Sequence, residues 1–68
     1  MKIFYEIKKQ HSPICYTVYQ VRKSPYNSDY YDIYAKTVLN GDERFKDYNL
    51  AFKTVESAIE FLEDENPN

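Results

Sequence analysis

The segment from Phe52 to Asp64 constrains the fold most, because it is the only part of the chain whose apolar residues recur at a helical period. The spacing i, i+3, i+4, i+7 forms one narrow apolar stripe, at Val55, Ala58, Ile59 and Leu62. Thr54 is suited to cap the first turn, and Glu56 lies where the helix dipole favours negative charge. A helix with a single apolar stripe needs a sheet to cover.

The chain before this segment alternates between apolar and polar residues, as strands do. Alternation predicts strands over Lys2 to Lys9, Ile14 to Lys23 and Tyr30 to Leu39. The dipeptide Asn40-Gly41 favours a tight type I′ turn, so a short fourth strand or extended arm over Glu43 to Tyr48 folds back. We therefore predict an α+β fold, a three- or four-stranded antiparallel sheet with one C-terminal helix packed on one face.

One helix covers only one face of such a sheet, and alternation must decide which side chains it covers. The second strand is ambiguous, because Tyr16 and Val18 share one side while Tyr19 and Val21 share the other. Either both faces are partly covered or a bulge shifts the register. In the third strand, the set that contains Ile33 makes the better core face.

Alternation assigns a tyrosine-rich set to the uncovered face: Phe4, Cys15, Tyr19, Val21, Tyr30, Tyr34 and Val38. A contiguous apolar patch of this kind usually marks an interaction site. The alternative is that tyrosines line half-solvated strands because they pair well across them.

Size and composition limit the class of protein. The chain has 68 residues, of which 43% are hydrophobic and 18% aromatic, so we expect one folded domain over residues 1–64 and a disordered tail over 65–68. The single cysteine, Cys15, excludes an internal disulfide and indicates a reducing compartment. Apolar runs are too short for export or membrane insertion, so we expect a cytoplasmic protein. The strand half is mildly basic and the helix half acidic, with a net charge of −2.

The sequence carries no catalytic, cofactor or metal signature. His11 has no cysteine or carboxylate at ligand spacing, which argues against a metal site. Nucleophilic catalysis by Cys15 lacks an orienting third group and an oxyanion hole. A chain of this size hardly encloses a pocket of about 300 Å³. We therefore expect a protein that is not an enzyme.

The end of the chain, from Ala51 through Phe52, Lys53 and Thr54 to the Phe61-Leu62 pair, resembles a known pattern. It is similar to the arm-type, AP2-like DNA-binding domain at the N-terminus of tyrosine recombinases, and to the small β-β-β-α antitoxin fold. The resemblance covers about a quarter of the chain and implies a sheet followed by a helix. In the recombinase family, the open sheet face reads DNA through basic and polar side chains. The matching strands here carry both aromatic residues and lysines, namely Phe4, Tyr19, Tyr30, Tyr34, Lys8, Lys23 and Lys36.

These observations favour a small regulatory or inhibitory interaction protein that docks on a larger host protein through its aromatic sheet face or an exposed edge strand. Chains of this kind are common in phages and other mobile elements. The candidate partner-binding residues are Phe4, Tyr19, Tyr30, Tyr34, Lys23 and Lys36.

Three alternatives stay open. The same face is suited to single-stranded nucleic acid, whose bases stack on aromatic rings, or to a homodimer contact. The acidic helix face is a second candidate surface, which would imitate DNA phosphates or simply keep the protein soluble, at Glu56, Glu60, Glu63 and Asp64.

Overall fold

The computed structural model describes residues 2–65. It contains four strands and one helix, namely β1 (Tyr5–Ser12), β2 (Cys15–Lys23), β3 (Tyr31–Leu39), β4 (Asp42–Asp47) and α1 (Val55–Glu65). The strands form one antiparallel sheet in the order β1-β2-β3-β4. The predicted α+β fold is confirmed, with the fourth strand present. With eleven residues, α1 is shorter than a bilayer requires, and residues 2–65 contain no other helix.

The two outer hairpins differ in how they turn. Between β3 and β4, Asn40 (φ 50°) and Gly41 (φ 88°) form a two-residue turn that sets Leu39 opposite Asp42. Positive φ at both central positions is what a type I′ turn requires, as predicted. The hairpin between β1 and β2 extends further than the sequence predicts, because β1 continues to Ser12 after a register shift between Gln10 and Ser12.

The core lies between α1 and one face of the sheet. Val21 stands opposite Ile33 and Tyr19 opposite Ala35, so all four side chains point to the same side. They are buried together with two residues of the helical stripe, Ala58 and Leu62. Val21 and Ile33 are completely inaccessible to solvent.

The prediction that Tyr19 and Val21 lie on the uncovered face is therefore wrong. Tyr19 is only 9% exposed and belongs to the core. The register of β2 against β3 has no interruption, so the bulge that was one of the two alternatives for this strand does not occur. Cys15 has the same parity as Tyr19 and is partly buried, which corrects its assignment to the uncovered face as well.

The helix begins where the sequence predicts. Phe52 forms an isolated bridge with Tyr31, in which the two backbone N···O distances are 2.7 and 2.9 Å. This bridge brings the chain back to the sheet. The hydroxyl of Thr54 then accepts a hydrogen bond from the Ser57 amide at 3.1 Å, which is an N-cap. Glu65, which the sequence assigned to the tail, is the last residue of α1. The rest of the predicted tail, 66–68, lies outside the described residues.

Candidate functional site

The face of the sheet opposite α1 is the candidate site, and the register defines it. Cross-strand partners point to the same side, and three rows of partners cross β2, β3 and β4. They are Val18 with Lys36 and Phe45, Tyr16 with Val38 and Glu43, and Gln20 with Tyr34 and Asp47. We call the whole set the helix-free face. Its side chains are Glu6, Lys8, Gln10, Tyr16, Val18, Gln20, Arg22, Asp32, Tyr34, Lys36, Val38, Glu43, Phe45 and Asp47, of which Asp32 is buried.

The centre of the helix-free face presents an accessible aromatic ring. Phe45 is 59% exposed, although it lies in the middle of a strand. Its ring packs beside that of Tyr34, with ring centroids 5.9 Å apart. These two rings and Val18 border a groove of about 360 Å³, whose other lining residues are Glu6, Gln20, Arg22 and Lys36.

Cations on this face lie against aromatic rings. The Lys8 ammonium is 4.3 Å from the centre of the Tyr16 ring, and the Arg22 guanidinium carbon is 3.8 Å from that of Tyr34. Both distances are within the range of cation–π attraction. Arg22 is also held in place, because its Nε donates a hydrogen bond to the side-chain oxygen of Gln20 at 2.9 Å.

Opposite charges on this face balance. Lys36 forms an ion pair with Glu43 at 3.3 Å, and Gln20 donates a hydrogen bond to the Glu6 carboxylate at 2.6 Å. The cations Lys8, Arg22 and Lys36 are matched by the carboxylates Glu6, Glu43 and Asp47. The face therefore has no net excess of positive charge.

One end of the helix-free face is closed by a pair of carboxyl groups. Oδ1 of Asp32 accepts hydrogen bonds from the amides of Ile33 (2.7 Å) and Leu50 (2.8 Å), and Asp32 is only 4% exposed. Its side chain also hydrogen-bonds that of Asp47, which accepts from the Asn49 amide at 3.0 Å. The pair joins the segment after β4 to β3, so its first role is structural.

The pKa values of the two carboxyl groups of this pair are shifted in opposite directions. Burial raises the pKa of Asp32, and the hydrogen bond with Asp47 raises it further. The same hydrogen bond lowers the pKa of Asp47, with further lowering by the Asn49 amide and the charge of Arg22. Of the two groups, Asp32 is therefore the one whose pKa is the higher. A cavity of about 160 Å³ adjoins the pair, and its lining includes Arg22, Lys23, Pro25 and Tyr34.

Two of the six predicted partner-binding residues, Tyr34 and Lys36, lie on the helix-free face. Phe4 packs against the core instead, with its ring edge-on to Tyr31 at 5.2 Å. The prediction of an uncovered Phe4 is wrong, because this residue precedes β1 and turns toward the core. Lys23 lies over the Tyr31 ring at 4.3 Å, on the helix side.

Tyr30 and Tyr19 complete the predicted set. Tyr30 is half-buried just before β3, where its carbonyl accepts a hydrogen bond from the Ser24 amide at 2.9 Å. Tyr19 is in the core, as described above. The structure thus does not bring the six residues together on one surface.

The unpredicted residues of the helix-free face include those that supply its other rings, its groove and its guanidinium: Tyr16, Val18, Arg22 and Phe45. A signal for the first three was present in the sequence, because the polar Gln20 and the charged Arg22 belong to the same alternation set as Tyr16 and Val18. For Phe45, counting outward from the Asn40-Gly41 turn places it opposite Lys36.

The acidic helix face is exposed as expected, at Glu56, Glu60, Glu63 and Asp64. The last turn of α1 contains no basic residue, and the only ion pair among residues 2–65 is that of Lys36 with Glu43. These carboxylates therefore remain a candidate surface with an unbalanced negative charge.

His11 has a structural partner. Its Nε2 lies 2.8 Å from the hydroxyl oxygen of Thr17, which lies 3.0 Å from that of Thr37. This series of hydrogen-bonded side chains spans β1, β2 and β3 on the helix side of the sheet. Within residues 2–65, no group of three or more histidine, cysteine or carboxylate side chains is arranged to hold a metal ion.

Comparison of the chain with models of protein families, with curated proteins and with solved structures finds no match in any of the three. The resemblance to the arm-type domain of tyrosine recombinases and to the antitoxin fold therefore stays a prediction. The functional argument depends on the geometry of the chain itself.

Proposed function

We propose that this chain is a small regulatory or inhibitory interaction protein that binds a larger protein through its helix-free face. The observation that carries the proposal is the exposed ring of Phe45, which together with Tyr34 and Val18 borders a groove in the middle of the sheet. Exposed aromatic residues that border a groove are typical anchors of protein interfaces. The balanced charges around them suit a protein surface of mixed polarity.

Nucleic acid is a weaker candidate for the same face, for two reasons. Bases stack on free aromatic faces, but cations already lie against the rings of Tyr16 and Tyr34. Phosphates require unbalanced positive charge, whereas the helix-free face is neutral and the whole chain carries −2. Recombinase-like DNA reading would meet the same obstacles.

A cytoplasmic location belongs to this proposal. Cys15 is a free thiol in the structure, and the chain has no second cysteine. A chain of this size without a disulfide is suited to a reducing compartment.

The test compares two matched pairs of variants in binding to a protein captured by the immobilised chain and then purified. Val18→Lys places a charge in the groove, and Ser57→Lys places the same charge on the exposed helix. Phe45→Ser removes an exposed ring from the face, and Tyr26→Ser removes one from a loop where it is 78% exposed. We expect Val18→Lys and Phe45→Ser to weaken binding about tenfold or more, while the two controls bind like the wild type.

Calorimetric titration of the purified pair gives the affinities, and circular dichroism checks that each variant is folded. Equal affinity of all four variants would contradict the proposal. Binding to a single-stranded oligonucleotide at low salt is measured in parallel. If the wild type and Ser57→Lys bind it and Val18→Lys does not, the helix-free face is a nucleic-acid site and not a protein site.

A further inference from the structure

The free edge of β4 has hydrogen-bonding groups available to another strand. The Tyr48 amide donates to the Ile33 carbonyl at 3.0 Å, so in β4 the backbone groups of Asp42, Arg44 and Lys46 point toward β3 by alternation. The backbone groups of the intervening residues, Glu43, Phe45 and Asp47, point away from the sheet. All six residues of β4 are exposed.

Two cations on this edge lack acidic partners. The side chains of Arg44 and Lys46 lie on the helix side, opposite Thr37 and Ala35, and neither forms an ion pair among the described residues. Lys46 lies over the Tyr48 ring at 4.5 Å. Between these two residues, Phe45 presents its ring on the other side. The edge thus presents cation, aromatic ring and cation in succession.

From this pattern we infer that the β4 edge binds an extended segment of the partner protein with an acidic–apolar–acidic sequence. The segment would continue the sheet through backbone hydrogen bonds to Phe45 and its neighbours. Its apolar side chain would lie beside Phe45, and its two acidic side chains beside Arg44 and Lys46. This inference rests on the proposed function, since it names the chemistry of one part of the partner.

A second copy of the chain fits this edge poorly. A two-fold pairing of β4 with itself places one residue opposite its own copy, and every residue from Glu43 to Asp47 except Phe45 is charged. Pairing centred on Phe45 sets Arg44 opposite Lys46 and Glu43 opposite Asp47, so like charges oppose in each case. Charges of this kind are a common means of preventing edge-to-edge self-association.

The inference is tested with two synthetic eleven-residue peptides of serine and threonine that differ only in their central tripeptide, Glu-Val-Glu or Lys-Val-Lys. Each is titrated into the ¹⁵N-labelled chain, and amide shifts and amide exchange rates are recorded by NMR. We expect the acidic peptide to shift and protect the amides of Glu43, Phe45 and Asp47, with affinity about tenfold or more above that of the basic peptide.

Charge reversal of the edge provides the second readout. The double variant Arg44→Glu with Lys46→Glu should reverse the preference between the two peptides, while Lys53→Glu, an exposed lysine outside the sheet, should leave it unchanged. An acidic peptide methylated on alternate backbone nitrogens should bind in only one of its two methylation registers, since one register blocks ladder hydrogen bonds.

Three results would overturn the inference: no shifts at millimolar peptide, equal binding of both peptides, or shifts confined to residues away from β4. Failure of this inference is distinguishable from failure of the proposed function. If Val18→Lys weakens binding to the captured protein and the edge double variant does not, the helix-free face is the site and the edge is not. If neither variant weakens binding, both proposals are wrong.

Discussion

Asp32 provides the most direct test of how this small fold is held together. It is a nearly buried carboxyl group in β3, and one of its oxygens accepts hydrogen bonds from the amides of Ile33 and Leu50. Leu50 is eighteen residues away, in the segment that leads from β4 to α1. The side chain therefore fixes the path that delivers the helix to the sheet.

Substitution of Asp32 by alanine removes both the hydrogen-bond acceptor and the charge, whereas substitution by asparagine removes only the charge. Asp32→Ala removes the acceptor of two amides, and each buried donor left unpaired costs about 1–3 kcal/mol. Because Leu50 is only partly buried, its amide should cost less to leave unpaired than that of Ile33, and we expect a total loss of about 2–4 kcal/mol. That is a large fraction of the stability of a 68-residue domain, at about 0.05–0.15 kcal/mol per residue. Asp32→Asn keeps an acceptor oxygen, and its side-chain amide can donate a hydrogen bond to the Asp47 carboxylate, so it should be tolerated.

The pH dependence follows from the direction of each pKa shift. Burial and Asp47 raise the pKa of Asp32 above its ordinary value of 3.8. The contribution of Asp32 to the stability of the fold is therefore fully present below pH 3.8 and declines as the pH rises through the folded-state pKa. Asp47 has a lowered pKa, so its contribution is present above 3.8 and is lost as the pH falls. Asp32→Asn removes the cost of ionising a buried group, so its stability relative to the wild type should increase from pH 4 to pH 7.

Urea unfolding followed by circular dichroism at pH 4 and pH 7 measures these differences, with Asp29→Ala, in an exposed loop, as the control. The reasoning is refuted if Asp32→Asn loses as much stability as Asp32→Ala, because the charge and not the acceptor would then matter. It is also refuted if the difference between Asp32→Asn and the wild type is the same at both pH values.

Three further predictions concern the helix N-cap, the hairpin turn and the last turn of the helix, and thermal unfolding tests each of them. Thr54→Ala removes the N-cap acceptor of the Ser57 amide and should cost about 1 kcal/mol; an unchanged melting temperature would show that the cap is dispensable. Gly41→Ala meets no atom within 4 Å but must adopt φ 88°, so about 1 kcal/mol should be lost from backbone strain alone. Asp64→Lys replaces a carboxylate in a last turn without basic residues and faces Glu60 at i−4, so a gain of about 1 kcal/mol is expected; no gain would indicate that the last turn is frayed.

The parts of the fold that the sequence predicted are those with local causes. The helix follows from its periodic stripe and from Thr54, and the β3–β4 hairpin follows from Asn40-Gly41. The facing of β2 was not predictable from that strand, because both alternation sets contain a tyrosine and a valine. Its facing depends on the pairing of Val21 with Ile33, which is a contact between residues twelve positions apart.

For the candidate site as well, residues with clear local patterns were predicted and those that depend on distant contacts were not. Tyr34 and Lys36 were correctly placed because β3 alternates clearly, whereas Tyr19 was misplaced together with its strand. Phe45 was missed because the facing of the fourth strand depends on the register of the β3–β4 hairpin, which sets Phe45 opposite Lys36. Asp32 alternates with Ile33 and so belongs to the set opposite the core face, and only the folded chain brings the Leu50 amide to its carboxylate.

The smallness of the core links stability to the proposed binding. Six residues form the buried cluster, and a domain with few buried residues is marginally stable. A partner that binds only the folded chain adds RT ln(1 + [L]/Kd), which is about 2.7 kcal/mol at a concentration of 100 Kd. This gain is comparable with the expected loss in Asp32→Ala. A partner that covers the helix-free face or extends β4 should therefore raise the melting temperature of that variant as clearly as that of the wild type, because Asp32 is only 4% exposed and its side chain is not accessible to a partner.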